Sequence, residues 1–397
     1  MPDKSTTSVS HFWKILFEHC KSNSSTRDES AFFALENLGI ISAQGPDAER
    51  FLQGQLTTDT AKQELGSVLL SGHCDHKGRL NANFLLCRAS SDQFYLVLPS
   101  NNCGTAMQAL AKYAVFSKVE LQDISQSSVL IGCNQNNPQQ VFKSCITQGQ
   151  MQYFQALEND VFNFSIAIAS LTDGVNRVEG NQTADNKLLD LCKAQSWQPA
   201  LEWHLQRLSS GMAFINDSNK GMHIPQMINM DLLSAIDWDK GCYTGQEIIA
   251  RMHYRGKANR RSFIFRSTLK PVTEDQELRK SFKHTSSESP ILETLSLKNG
   301  DGESIGDVLE LIELTQGELL GLAVVKLKSL NDELNQSPKV AKLQRSNASS
   351  SAHEALEQAP PEQAPPKQAP PEHAPSEHAI DVEIIAPNYL EKTLADT

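Results

Sequence analysis

The chain has 397 residues, room for two or three domains by length, and a 39% hydrophobic content with 16 Phe that can fill sizeable cores. No run of about 18 uncharged apolar residues occurs, so no segment reads as a membrane-spanning helix. The formal net charge of −11 disfavours tight, direct tRNA binding, because nucleic-acid affinity rests heavily on phosphate neutralisation by Lys and Arg.

Residues 1–30 read as a helical extension. The apolar patch Phe12-Trp13-Lys14-Ile15-Leu16-Phe17 is interrupted by charge and His (His11, Lys14, Glu18, His19) and no small-residue cleavage site follows, which predicts a soluble helix and not a secretory signal. Residues 31–125 read as mixed α/β. Gly45-Pro46-Asp47-Ala48-Glu49 is a helix start, with Pro and acids suiting the orphan amides of the first turn. Ala48, Phe51, Leu52 and Leu56 then recur at helical spacing. Val68 to Leu70, Asn83 to Cys87 and Phe94 to Leu98 are strand candidates. Asp75-His76-Lys77-Gly78-Arg79 is a hairpin turn whose Gly can take positive φ. An amphipathic helix follows, with Ala106, Met107, Leu110, Ala111 and Ala114 on one face.

Residues 126–261 read as a second α/β stretch. Phe162, Phe164, Ile166 and Ile168 alternate with Asn163, Ser165 and Ala167, predicting a half-buried strand, and a helical segment runs from Leu188 to Gln206. From Ser262 short strands predominate: Phe263 to Phe265, an Asn299-Gly300 turn, then Val308 to Leu314 and Leu319 to Leu327 flanking a hairpin at Thr315 to Glu318. These predict a small all-β barrel over 262–345 plus 380–397. Residues 346–379 carry an imperfect Gln-Ala-Pro-Pro-Glu repeat that cannot bury apolar surface. Ile380 to Ile385 afterwards alternates like a strand, so the repeat is expected to be a disordered loop inserted before the last barrel strand. The fold class expected is α+β: two mixed α/β subdomains and a C-terminal antiparallel barrel.

The eight cysteines (Cys20, Cys74, Cys87, Cys103, Cys133, Cys145, Cys192, Cys242) form no CxxC pair. Scattered thiols fit a reducing cytosol and argue against a zinc knuckle or a resident cluster held by a local motif. The segment Lys240-Gly241-Cys242-Tyr243-Thr244-Gly245-Gln246-Glu247 stands apart. Thr244 and Glu247 have capping-box spacing, and Glu247 with Arg251 is an i,i+4 pair on the helix that would follow, so Glu247 reads either as cap and ion pair or as a ligand contact. Cys242 lies just before the helix start with Lys240 two residues upstream on the same side of an extended lead-in, two features that favour a thiolate. Gly241 and Gly245 allow a tight backbone there. The alternative for Cys242 is one more buried small apolar residue. Six cations (Lys240, Arg251, Arg255, Lys257, Arg260, Arg261) face one acid, Glu247, within 240–261. That suits an anionic small molecule or an acidic partner surface, or else a solvated helix end balanced by Asp237 and Asp239.

This segment, with Arg251 and Arg255-Gly256, resembles the signature of the YgfZ family, relatives of the glycine-cleavage T protein. Gly45-Pro46-Asp47 with Phe51-Leu52-Gln53-Gly54-Gln55-Leu56-Thr57-Thr58-Asp59 is similar to the family's N-terminal block. Cys74-Asp75-x-Lys77-Gly78-Arg79, Lys112-Tyr113-Ala114-Val115-Phe116-Ser117-Lys118-Val119 and Ile224-Pro225-Gln226 are similar to further blocks. The resemblance covers roughly 30–345 and the last strand, not the Pro-rich insert. It implies an α/β core that binds tetrahydrofolate or a derivative, no bound metal or cluster, and a cytoplasmic accessory role in assembling or maintaining iron–sulfur enzymes, among them one that methylthiolates tRNA. By the same resemblance Cys242 with Lys240 would carry the chemistry. Tyr243, Gly245, Gln246, Glu247, Arg251 and Arg255 would line the motif pocket. Trp203, eight residues before Gly211, matches a folate-contacting tryptophan, while Leu38 stands where the family has another. Its expected partners are folate and, transiently, iron–sulfur enzymes or assembly proteins. Two other readings remain beside this one: a folate-dependent aminomethyl transferase, against which the Cys motif counts, and a tRNA-modifying enzyme, for which no nucleotide or radical-cluster fingerprint is present.

Overall fold

The computed structural model describes residues 8–22, 32–133, 138–156, 164–171, 183–198, 200–268, 295–314, 318–333, 340–345, 380–387 and 389–390. The chain divides into two compact units, 1–262 with 386–397, and 263–385.

The first unit opens with α1 (Ser8–Ser22), β1 (Phe32–Ala34), β2 (Leu38–Gln44), α2 (Ala48–Gln53), β3 (Ser67–Cys74), β4 (Leu80–Arg88), β5 (Gln93–Pro99) and α3 (Ser100–Ala114). It continues through β6 (Glu120–Asp123), β7 (Ser128–Cys133), α4 (Pro138–Val141), α5 (Lys143–Thr147), β8 (Met151–Ala156), β9 (Ser165–Ser170), α6 (Ala184–Lys193), β10 (Trp197–Gln198), α7 (Ala200–Ser209) and α8 (Gln246–Arg255). The strands form one mixed sheet in the order β10-β1-β7-β9-β8-β3-β4-β5-β2-β6. The stretches read as two subdomains therefore share a sheet, joined where β3 pairs in parallel with β8 through Ser67↔Gln155 and Val68↔Ala156.

Side-chain alternation along these strands sorts three apolar clusters. On β7, Val129, Ile131 and Cys133 face α1 and α6, where Phe12, Leu16, Leu188 and Cys192 cover them. On β2 and β4, Ile41, Ala82 and Phe84 face α2 and α3. The opposite faces of both halves meet in a third cluster that includes Ile40, Val97, Leu130, Ile166, Trp203 and Phe214.

Several local expectations are corrected here. On α3, Ala106 and Leu110 are buried but Ala111 is exposed. β9 is not half-buried: Ser165 to Ala169 are all buried, because α1 and α6 cover the face that carries Ala167 and Ala169. Of the alternation that suggested it, Phe162 and Asn163 lie outside the described residues. The helix expected from Leu188 to Gln206 is two helices, α6 and α7, parted by the short strand β10 that pairs with β1.

The second unit contains β11 (Arg260–Thr268), β12 (Leu295–Lys298), β13 (Ser304–Glu313), β14 (Glu318–Lys326), α9 (Leu327–Glu333), β15 (Val340–Arg345) and β16 (Ile380–Ile385). The strands close into a barrel in the order β11-β14-β13-β12-β15-β16. β13 and β14 pair antiparallel as their flanking pattern predicts, although Thr315 to Gly317 lie outside the described residues. β16 pairs with both β11 and β15 and so completes the closure. The Pro-rich stretch 346–379 lies outside the described residues. Ala386, Pro387, Tyr389 and Leu390, grouped with the barrel in the sequence reading, belong to the α/β unit instead. There the Tyr389 hydroxyl donates to the Gly211 carbonyl at 3.3 Å and accepts from Asn229 Nδ2 at 3.3 Å.

Candidate functional site

The signature segment is built onto the N-terminal block by hydrogen bonds that sequence distance hides. Lys240 is 7% exposed, and its Nζ donates to the carbonyls of Gln53 (2.8 Å), Leu56 (2.7 Å) and Thr58 (2.7 Å). An ammonium carries three N–H donors, so all three are used. The same Nζ lies 5.0 Å from the centre of the buried Tyr243 ring. Burial pulls the Lys240 pKa down to about 8, against the pull of Asp59 and Asp237 upward. Burial first, then the Cys74 and Asp237 charges, pushes the Tyr243 hydroxyl up.

Further bonds fix the rest of the loop. Thr244 donates from its backbone to Gly54 O (3.2 Å) and from Oγ1 to Gln55 Oε1 (3.1 Å). Asp237 N reaches Thr57 O at 2.9 Å, and Thr57 Oγ1 reaches Ala235 O at 2.7 Å. Gly245 (φ +84°) is the residue before α8, and the Asp75–Arg79 turn packs against it: a Cβ at Gly245 would stand 2.5 Å from Asp75 O and 3.0 Å from Gly78 Cα. Gly78 itself takes φ +70°, as its place in the hairpin turn predicts, while Asp75 Oδ1 accepts from the amides of Lys77 and Arg79 at 2.8 and 2.9 Å. On the far side of α8, Gln226 Nε2 donates to Ile249 O at 2.8 Å, which explains why Ile224-Pro225-Gln226 accompanies the signature.

Cys242 projects from this anchored loop and is exposed, whereas Cys74, Cys87, Cys103, Cys133, Cys145 and Cys192 are buried. Two expectations change. Lys240 and Cys242 do not share a side: one is buried, the other exposed, and the ammonium is occupied by carbonyls. The capping box does not form either, because Gly245 in the left-handed conformation begins the helix one residue later and Thr244 Oγ1 is turned to Gln55. Glu247, Arg251 and Arg255 are exposed on α8, and among the described residues no ion pair joins Glu247 to Arg251. Gln246 is half-buried; its Oε1 accepts from Tyr243 N at 3.4 Å.

Trp203 lies elsewhere. It is 2% exposed on α7, edge-on to Phe164 at 6.1 Å and to His204 at 5.1 Å, with the Arg207 guanidinium 6.0 Å from its ring centre. Gly132 packs against the indole so closely that a Cβ there would lie 3.1 Å from it. Leu38, 6% exposed on β2, belongs to the same cluster. Neither residue presents an open stacking face, so the aromatic platform expected for folate does not fit at these positions. Trp203 Nε1 is a buried donor without an acceptor among the described residues.

Trp238, His253 and Tyr254 were not singled out from sequence. The Trp238 and His253 rings stack at 3.8 Å with 15° between planes, and Tyr254 stands edge-on to His253 at 4.7 Å. Only the position of Trp238, two residues before Lys240, hinted at this. Among the described residues no group of three or more His, Cys, Asp or Glu side chains is placed to hold a metal ion, and no helix is long and apolar enough to cross a membrane.

Comparison with known proteins bears on the family and the fold. Residues 13–172 match the family model for the GCVT N-terminal domain. A Haemophilus influenzae protein described only as uncharacterized is 33% identical over 245 residues, covering 60% of this chain and 74% of the relative. The tRNA-modifying protein YgfZ of Hamiltonella defensa is 30% identical over 245 residues, covering 62% and 72%. Among solved structures, the glycine cleavage system aminomethyltransferase T from Bartonella henselae superposes with a TM-score of 0.59 at 14% identity, covering 95% of this chain and 90% of that one; this likeness concerns the fold.

Proposed function

The chain belongs to the YgfZ family, and we propose that it is a folate-binding accessory protein for the assembly or maintenance of iron–sulfur enzymes, supporting tRNA modification, methylthiolation included, indirectly. The observation that carries this reading is the placement of Cys242. Lys240 and Thr244 clamp the loop to residues 53–58 on either side of it, which leaves its thiol the one exposed sulfur among the described cysteines whose side chains are placed. A rigid scaffold presenting one accessible thiol suits action on a partner better than turnover of a buried small substrate. Lys240 here positions; it does not serve as the thiol's charge partner. Tetrahydrofolate, when bound, would supply a one-carbon carrier. Trp203 would contribute through its Nε1–H and not through a stacking face. Relatives with tRNA in their names support the link to tRNA, while the net charge of −11 favours an indirect route.

The test is paired. Tetrahydrofolate is titrated into the purified full chain by calorimetry, and cells lacking the protein are complemented with wild type or Cys242→Ser. Saturable folate binding together with loss of iron–sulfur enzyme activity and of tRNA methylthiolation in the Cys242→Ser cells is the expected result. Full complementation by that variant would overturn the role of the thiol, and no folate binding at millimolar concentration would overturn the folate assignment. Aminomethyl transfer by the purified protein would favour the transferase reading suggested by the shared fold.

A further inference from the structure

The exposed side of α8 carries residues that the loop clamp does not use. Arg251, Tyr254 and Arg255 lie on one stripe of the helix, at spacings of three and four residues, and Lys257 follows two residues beyond the helix end. All four side chains are exposed, Tyr254 by 67%. Among the described residues none of the three cations is held by an ion pair, although the chain contains 47 Asp and Glu. An acidic protein that leaves three neighbouring cations uncompensated around an open tyrosine departs from a mixed, self-neutralised surface. Arg and Tyr are also the residue types enriched at interface hot spots, and acids are depleted there.

One edge of the stripe borders the segment that carries the thiol: Tyr254 stands edge-on to Trp238 at 6.4 Å, four residues before Cys242. Trp238 stacks on His253 near the C-terminal end of α8, and Gly245 sits at its N-terminus, so residues 238–245 run back along a helix about 15 Å long. Cys242 falls within that return segment, exposed, and the loop bonds described above hold it there. A segment lying along the stripe and past Tyr254 onto Trp238 is therefore directed toward the loop that carries the sulfur.

We propose that this stripe is a docking surface for an acidic segment of a protein partner, which it brings against Cys242. Charge complementarity selects the occupant. Arg251 and Arg255 can each take a carboxylate bidentately, and Tyr254 offers apolar area with a hydroxyl at its tip. A nucleic acid would meet the same three cations, but the remaining surface of a chain with net charge −11 repels a long polyanion, whereas a short acidic segment samples only the local field. The inference deepens the accessory-protein reading and rests on it, since it names the kind of surface by which a client would engage the thiol.

The experiment uses the full chain and a fluorescein-labelled decaglutamate peptide, with single-stranded RNA and tetrahydrofolate pentaglutamate as competitors. Anisotropy reports docking, and the rate at which neutral dithiodipyridine modifies Cys242 reports whether the peptide covers the thiol. The expected result is peptide binding that weakens roughly tenfold from low to physiological salt, slowed Cys242 modification when peptide is bound, and loss of both effects in Arg251→Glu/Arg255→Glu. The unmodified protein's salt dependence keeps the test meaningful if that variant folds poorly. Peptide binding unchanged by the charge reversal, or absent altogether, would overturn the docking surface. Competition by RNA at lower concentration than the peptide would overturn the choice of occupant, and so would displacement by the folate polyglutamate alone. Tetrahydrofolate binding, measured on the same samples by calorimetry, separates the two readings: its loss counts against the folate assignment, while its persistence without peptide docking counts against the surface only.

Discussion

The ammonium of Lys240 lies 2.7 Å from the carbonyl oxygen of Thr58, a residue 182 positions away in sequence. With its bonds to Gln53 and Leu56, this side chain ties the end of α2 to the signature loop. Lys240→Met removes one donor group and leaves three converging carbonyls without it, at a cost of about 3 kcal/mol. Urea denaturation of the purified variant measures it. Lys240→Arg is expected to recover only part of the loss, because a planar fork cannot point N–H groups at three carbonyls converging on one atom. A Lys240→Met protein as stable as wild type would show that the clamp contributes nothing.

Gly245 and Gly241 flank Cys242 and make opposite predictions. Gly245→Ala forces a left-handed residue to carry a Cβ that would stand 2.5 Å from Asp75 O, so the Asp75–Arg79 turn must move. About 2 kcal/mol or more of stability should be lost, with the loop displaced. Gly241→Ala meets no heavy atom within 4 Å and should change the melting temperature little. Equal melting temperatures for the two variants would contradict the packing of the turn on the start of α8.

Much of the scaffold was legible where the signal is local. The Asp75–Arg79 turn announces itself through Asp at its start and Gly78 at positive φ, between the apolar runs Val68 to Leu70 and Asn83 to Cys87 that pair as β3 and β4. The barrel's last strand was legible because Ile380 to Ile385 alternates beyond the Pro-rich repeat. What stayed hidden depends on tertiary contact. Ser165 and Ala167 look like a solvated face until α1 and α6 cover that side of the sheet. Thr244 and Glu247 match a capping box, yet contact between Gly245 and the Asp75 carbonyl starts the helix one residue later. Lys240 reads as a charge partner for the nearby thiol, and nothing in the sequence shows that three carbonyls from residues 53–58 converge on it. Trp203 reads as a platform because an aromatic residue's type does not reveal which of its faces will be packed.

Two buried histidines give the protein an acid limit. Burial lowers the His73 pKa to about 4, with Asp75 pulling it up, and lowers that of His204 to about 3, with Arg207 adding to the drop. Above the unperturbed value near 6.5, neither the folded nor the unfolded chain binds these protons, and stability is full. As pH falls below it, the unfolded chain takes up protons that the folded rings refuse, so stability declines down to about pH 4 for His73 and about pH 3 for His204. The His73 share amounts to about 3 kcal/mol across its window. Neither His73 ring nitrogen has a hydrogen-bond partner among the described residues, so His73→Leu should cost little at neutral pH and flatten this part of the acid limb. Urea midpoints followed from pH 7.5 to about pH 4 report both effects, and an unchanged slope in the variant would show that His73 is not the group titrating.

Trp203 decides how a folate experiment must be read. Its indole is fully enclosed, with Phe164, His204, Gly132 and Arg207 around it, so Trp203→Ala opens a large cavity and should cost about 4 kcal/mol. Loss of tetrahydrofolate binding in that variant would follow from unfolding as readily as from a lost contact. Trp203→Phe keeps most of the apolar volume and removes only part of the ring and the Nε1–H, the buried donor left without an acceptor. If a ligand supplies that acceptor, Trp203→Phe should keep a melting temperature within a few degrees of wild type in its absence while weakening tetrahydrofolate roughly tenfold, the loss of one buried hydrogen bond. Unchanged affinity in a folded Trp203→Phe protein would leave the tryptophan as core alone, and any folate site would then have to be sought away from α7.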